Sequence, residues 1–162
     1  LPNVALRPQA VARAYQQLPD HQPMSRVNRT VHAAAWCSLD GEILLSREDV
    51  GRHNALDKIA GWMAMNKVIG GNKIFYTTGR LTSEMVIKAV QMGIPILISR
   101  SGCTAWGVDL ARRAGLTMIG RAKGKRFLVL SGSERIVYDA DARTVAEESK
   151  HLRRKGAEED AA

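Results

Sequence analysis

Between residues 52 and 130 the chain alternates short apolar runs with stretches of helical spacing, and this alternation limits the fold more than any other feature of the sequence. Residues near 52 to 66 set Leu56, Ile59 and Met63 on one helical face and stop at Gly70-Gly71. Lys73 to Thr78 reads as a strand. Thr82 to Met92 reads as a helix with a hydroxyl cap, Glu84 in its first turn and Gly93 just past its end. A strand from Ile94 to Ser99, a helix from Thr104 to Ala114 closed by Gly115, and a strand from Leu116 to Gly120 follow. Phe127 to Leu130 reads as a further strand after a basic loop. Strands joined by helices of this length pair in parallel through right-handed crossovers. Ahead of them, Val31 to Cys37 and Glu42 to Ser46 flank the turn Leu39-Asp40-Gly41 and predict an antiparallel hairpin. Pro8 to Leu18 predicts a helix with Val11, Tyr15 and Leu18 on one face, and Asp20 to Arg29 a polar connector. The expected fold class is α/β, a mixed sheet with an N-terminal antiparallel hairpin and alternating parallel strands and helices, in two or three layers. The expected organisation is an N-terminal helix and connector over 1–30, an α/β domain over 31–140, and a charged tail over 141–162 that is a frayed helix or disordered.

Composition narrows the class. With 162 residues, 45% apolar and 25% charged, the chain suits one soluble globular domain. No apolar run approaches the roughly 20 residues of a membrane span. The start, Leu1-Pro2-Asn3, has neither an initiator Met nor the pattern of a secretory signal, so a piece or processed product of a longer protein is expected. Cys37 and Cys103 make no disulfide framework and match no metal spacing, which favours the cytoplasm. The net charge of +8 fits nucleic acid, an anionic small ligand, or solubility alone, and the placement of the basic residues has to decide among these.

In parallel α/β sheets ligands gather beyond the carboxyl ends of the strands. The first crossover strand runs out into Thr77-Thr78-Gly79-Arg80, the second into Ser99-Arg100-Ser101-Gly102, and the third into Arg121-Ala122-Lys123-Gly124-Lys125-Arg126. Each end carries an arginine and small residues, and the first two lead into helix starts, the earlier one at Thr82-Ser83. Helix N-termini favour anions, small residues admit a phosphate to the backbone, and arginine clamps it with two hydrogen bonds. An anion site built from these loops is therefore expected. A second dense segment, Glu48-Asp49-Val50-Gly51-Arg52-His53-Asn54-Ala55-Leu56-Asp57-Lys58, lies where a strand meets a helix. Asp49 there is a working acid or base, or else a helix cap, and His53 is either functional or structural.

That segment resembles the signature of the FdhD family, and other motifs follow in the family order. They are His32-Ala33-Ala34-Ala35-Trp36 before it, then Gly79-Arg80-Leu81-Thr82-Ser83-Glu84-Met85-Val86, Gly93-Ile94-Pro95, Ser99-Arg100-Ser101, Lys123-Gly124-Lys125-Arg126-Phe127 and Glu134-Arg135-Ile136. The resemblance runs from about Arg26 to Val137. It implies a cytidine-deaminase-like fold, a homodimer, and a role as an accessory sulfurtransferase for molybdenum-dependent formate dehydrogenase. Such a protein accepts persulfide sulfur from a cysteine desulfurase and passes it to the bis(molybdopterin guanine dinucleotide) cofactor, of which GDP is a fragment. Residues Arg121 to Arg126 match the family's cofactor-binding loop; Arg80, Thr82, Ser83, Ser99, Arg100 and Ser101 complete the expected site.

The sequence departs from the family pattern at three points. The C-x-x-C pair that carries the family's persulfide does not occur in it, so cofactor binding without sulfur transfer by that route is expected. Arg29 stands near a usual glycine. Cys103 stands where proline is usual, beside a helix start and Arg100, and is either a substitute sulfur carrier or a small core residue. Two rivals have less support. A zinc-dependent deaminase needs H-x-E or C-x-E and P-C-x-x-C at successive helix starts, and neither occurs, so no zinc site is expected. Nucleic-acid binding is disfavoured by 5% aromatic residues with none among the basic loops. A guanine-nucleotide-binding regulator would share the anion site and lack the cofactor role.

Overall fold

The computed structural model describes residues 1–138; the expected tail over 141–162 lies outside the described residues. The element order is α1 (Pro8–Gln17), a 3-10 turn (Leu18–His21), α2 (Pro23–Val27), β1 (His32–Ser38), β2 (Ile43–Asp49), α3 (Arg52–Met65), β3 (Lys73–Thr77), α4 (Ser83–Gln91), β4 (Ile96–Ser99), α5 (Ala105–Ala114), β5 (Thr117–Lys123) and β6 (Arg126–Ser131). The strands form one six-stranded sheet in the order β2-β1-β3-β4-β5-β6. β1 pairs antiparallel with both β2 and β3, β3 to β5 run parallel, and β6 returns antiparallel to β5.

The strands' period of two sorts their side chains into two cores. Ile74, Tyr76, Ile96 and Ile98 face α1, whose Ala10, Val11 and Ala14 lie against them with Leu6 and Leu18. Phe75, Leu97 and Met118 face the other way, onto Leu56, Ile59 and Met63 of α3 and Met85, Val86 and Ala89 of α4. The molecule therefore has three layers, and residues 1–30 supply most of one of them. Gly41 closes the β1–β2 hairpin at a φ of 83°, and a β-carbon there would run into the Ala10 carbonyl.

Three local expectations are corrected. The stretch Asp20 to Arg29 is no plain connector: it contains α2, held where the Glu48 carboxylate accepts the Met24 and Ser25 amides at 3.0 and 3.1 Å. The basic segment Arg121 to Arg126 is no loop. Arg121 to Lys123 continue β5, Gly124-Lys125 make a two-residue turn with Gly124 at a φ of 64°, and Arg126 opens β6. Ala122 is fully buried and its carbonyl accepts the Tyr76 hydroxyl at 2.6 Å, which ties this hairpin to the sheet. The Thr82 hydroxyl does not cap α4; it is buried without a partner. Thr104 does cap α5, accepting the Gly107 amide at 3.1 Å, and Gly115 ends that helix in the left-handed region.

Gly41→Ala should lower the unfolding free energy by about 3 kcal/mol, from overpacking against α1 and a left-handed backbone without glycine. Urea denaturation of the two proteins, with unchanged m-values, checks this.

Candidate functional site

Antiparallel pairing brings more chain to one edge of the sheet than the parallel strands alone would. β3, β4 and β5 end there. β1 begins there, with Ala34 opposite Thr77, and β2 ends there, with Asp49 opposite His32. The N-termini of α3, α4 and α5 lie at the same edge, because each follows a strand that ends on it. Thr78 fastens the junction: its amide donates to the Ala33 carbonyl at 3.0 Å, and its hydroxyl accepts the Ala33 amide at 2.9 Å. The Ser99 hydroxyl donates to the Gly79 carbonyl at 2.6 Å and accepts the Ser101 amide at 2.9 Å, and the Ser101 hydroxyl donates to the Thr78 carbonyl. Ser99 and Ser101 are thus the stitching between two loops, and they hold the backbone that carries Arg80 and Arg100.

Much of the positive charge at this edge is unpaired. Among the described residues, the side chains of Arg29, Arg80, Arg100, Arg121, Lys123, Lys125 and Arg126 have neither a hydrogen bond nor an ion pair. Elsewhere Lys88 meets Asp57 at 2.9 Å and Arg113 meets Asp109 at 3.0 Å. Arg52 lies flat on Gly79, where a β-carbon would stand 2.6 Å from the Arg52 Cβ, and its Nε is buried without a partner. Arg121 has a φ of 48° at a bulge between Gly120 and Lys123, and its guanidinium lies over Gly102. Unpaired guanidinium groups held close on glycine surfaces offer forked donors that suit the oxygens of a polyanion.

The candidate acids, bases and thiols divide clearly. Asp49 accepts the Gly51 amide at 3.0 Å and meets Lys58 at 2.9 Å, and these bonds hold its carboxyl down at about 2. It stays a structural anion across the physiological range and does not cap α3 at Gly51. His53 sits at the start of α3 with Nε2 3.4 Å from the Glu84 carboxylate and a buried, unpartnered Nδ1. Burial, then Lys88 and Arg52, pull its pKa below the usual histidine value. Cys37 is fully buried on β1, and burial pushes its thiol up to about 12. Cys103 is half-buried beside the α5 cap, packed against the core under α3 to α5, with a backbone bridge to Leu81.

His32, Arg52 and Arg29 join the edge although sequence reasoning did not place them there. His32 Nδ1 is 3.3 Å from the Thr78 hydroxyl, and burial, then the Arg52 and Arg100 charges, lower its pKa. The signal that could have found His32 is its place at the start of a strand antiparallel to its neighbour. Ser83, the first residue of α4, is half-buried at the same edge, and Gly124 and Lys125 sit at the hairpin tip.

A bound anion would offset the two arginine charges and raise the His32 pKa towards neutrality. Polyanion binding should therefore take up protons and tighten as pH falls from 7.5 to 6. Calorimetry in buffers of different ionisation enthalpy reads that uptake directly, and His32→Gln should diminish it.

Comparisons with known proteins bear on the family and the fold. The family model described as the FdhD/NarQ family matches residues 1–137. The chain is 42% identical over 115 residues to the sulfur carrier protein FdhD of Chromobacterium violaceum, covering 71% of this chain and 43% of that protein. It is 43% identical over 125 residues to the protein of the same name from Variovorax paradoxus, covering 77% and 45%. A crystal structure from Desulfotalea psychrophila, named for a formate dehydrogenase accessory role, superposes with a TM-score of 0.78 at 34% identity, over 85% of this chain and 59% of that one. The chain spans less than half the length of these curated relatives, and it belongs to the FdhD/NarQ family.

Proposed function

We propose that this chain is the cofactor-holding part of a sulfur carrier that serves the maturation of formate dehydrogenase. The observation that carries the reading is the largely unpaired basic edge, whose β5–β6 hairpin coincides with the segment matching the family's cofactor loop. The relatives' names, sulfur carrier and formate dehydrogenase accessory protein, supply the biological context. The fitting ligand is the bis(molybdopterin guanine dinucleotide) cofactor, with GDP as its soluble fragment. Its diphosphates match the unpaired Arg80, Arg100, Arg121, Lys123 and Arg126, and the buried unpartnered Arg52 Nε and Thr82 Oγ1 are further polar groups at the α3 and α4 starts. When bound, the cofactor supplies molybdenum as the acceptor of sulfur. The chain's own residues bind and orient it: the arginines neutralise the diphosphates, and neutral His32 and His53 stand ready to take a proton.

In this reading a cysteine desulfurase supplies the sulfur as a persulfide, and formate dehydrogenase and a second copy of the chain are the remaining partners. The antiparallel β1–β2 hairpin ahead of parallel strands supports a cytidine-deaminase-like architecture. Among the described residues no three His, Cys, Asp or Glu side chains gather as a metal site, and no helix is long and apolar enough to cross a membrane.

Calorimetric titration with GDP tests the cofactor assignment. The native chain should bind it, and Lys123→Ala and Arg126→Ala should each weaken binding by about tenfold, as loss of a charge-assisted contact does. Absence of heat from the native chain, or binding by both variants as tight as by the native chain, would overturn the assigned site.

Sulfur uptake gives a separate test. Persulfide relay needs an accessible thiolate, Cys37 is buried with a thiol at about 12, and Cys103 is half-buried against the core. Intact-mass spectrometry after incubation with a cysteine desulfurase and cysteine should show no added sulfur on this chain. A gain of one sulfur that disappears in Cys103→Ala would make Cys103 the carrier.

A further inference from the structure

A cleft separate from the β5–β6 hairpin opens between α2 and the end of β4. It has a volume of about 290 Å³, and Gln22, Ser25, Arg26, Arg29, Val31 and Arg100 are among the residues that line it. Three arginines line one small concavity, and no carboxylate lines it. Arg29 and Arg100 have no hydrogen-bonded or ionic partner among the described residues. Arg26 donates to the Pro19 carbonyl at 3.1 Å and lies 3.6 Å from Asp20, but both side chains of that pair are mostly exposed, at 65% and 83%. An exposed pair at that separation neutralises little of the charge.

The cleft is also built, in the sense that its wall is fixed by bonds outside it. The Ser25 hydroxyl donates to the Val31 carbonyl at 3.2 Å or to Glu48 at 3.0 Å, and Glu48 holds the Met24 and Ser25 amides. Gln22 is 6% exposed and its amide nitrogen donates to the Ser25 hydroxyl at 3.4 Å. Glu48, behind this wall, is thus engaged with backbone donors of α2. Like charges gathered in a concavity sum their fields and raise the local concentration of anions.

We infer that this cleft is a second anion subsite, one that receives a phosphate or diphosphate group through Arg26, Arg29 and Arg100. Arg100 stands between the cleft and the loop ends of β3 and β4, so the two sites adjoin along one edge. The identity of the occupant as a second diphosphate arm of a paired dinucleotide ligand rests on the proposed function; the anion site itself does not. A diphosphate is favoured over a carboxylate because its two phosphoryl groups together present more anionic oxygens to three forked donors than a carboxylate does.

The test is amide NMR of the full 162-residue chain titrated with inorganic pyrophosphate, GDP and guanosine. Pyrophosphate and GDP should both move the signals of Gln22, Ser25, Arg29 and Val31, and guanosine should leave them still. An Arg26→Ala/Arg29→Ala protein, with a native spectrum elsewhere, should lose about tenfold or more in pyrophosphate affinity at those signals. A Lys123→Ala/Arg126→Ala protein should retain the cleft response while losing the response of the hairpin. Shifts confined to the hairpin would overturn the second subsite and leave the first standing. Cleft shifts without any hairpin response would do the reverse. Equal weakening by Lys67→Ala/Arg113→Ala, on surfaces remote from the edge, would reduce the effect to general attraction and also overturn the subsite.

Discussion

The antiparallel pairing of β1 with β3 is the constraint on which the rest depends. A wholly parallel sheet of this size would bring only the ends of its strands and the starts of its helices to one edge. Here the reversed strand adds its own beginning, and the hairpin partner adds its end, so that His32, Asp49, Arg52 and the loops after β3 and β4 meet. The pairing is locked at its last step by Thr78, which both donates to and accepts from Ala33. An unpartnered Ala33 amide at that buried position would cost about 1–3 kcal/mol, a large fraction of the margin by which small domains are stable. The hydroxyls of Ser99 and Ser101 extend the same lock to the neighbouring loop. The polar residues that look like ligand donors in the sequence therefore do two separate jobs. Hydroxyls fix the backbone, and cations face outward.

Keeping those cations together opposes folding. Residues of one sign at one edge repel, and at about 0.1 M salt that repulsion reaches across about 10 Å. The two cores supply what offsets it: Leu6, Val11 and Leu18 on one face and Leu56, Ile59 and Met85 on the other are all essentially inaccessible to water. A ligand that binds the folded chain and neutralises the edge then stabilises the fold by mass action, so site occupancy and stability are linked. The histidines respond to the same field. Both His32 and His53 have lowered pKa values, and in each case burial is the first cause and arginine or lysine charge the next. A histidine held neutral in this way favours the folded state above its ordinary pKa near 6.5, and that contribution is lost as pH falls through the lowered value.

Much of this was legible in the sequence because the signals were local. The period of three to four in residues 52 to 65, the glycine after Ala114 and the cap at Thr104 each specify their element within a few residues. The alternation of strands and helices then carries the topology, and the arginine at each strand end points to the edge. What escaped was non-local. α2 forms because Glu48, in another strand, accepts its amides. The Arg121 to Arg126 stretch carries four basic residues and one glycine, which reads as a loop; it is a hairpin tied to the sheet by Tyr76, 46 residues earlier in the chain, which bonds to Ala122. The Thr82 hydroxyl matches the residue preference for a cap, but the geometry leaves it buried and unpartnered. His32 and Arg29 escaped because the rule about strand ends was applied to parallel strands alone.

The hairpin shows how the stable part of the fold holds the part that meets the ligand. Arg121 occupies a backbone conformation that a side chain with a β-carbon adopts at a cost of about 1–2 kcal/mol. It is held there from both sides. Its amide donates to the Ser101 carbonyl at 3.0 Å, and the next residue, Ala122, is fully buried and anchored by the Tyr76 hydroxyl. Relaxing Arg121 would pull Ala122 out of the core and break the Tyr76 bond, a loss larger than the strain. The bulge that results turns the Arg121 guanidinium over Gly102, where the missing side chain leaves it room. A glycine at position 121 would remove the strain and the charge together. The core thus maintains a strained arginine at the junction of the β4 loop and the hairpin, where the unpaired charge of the edge converges.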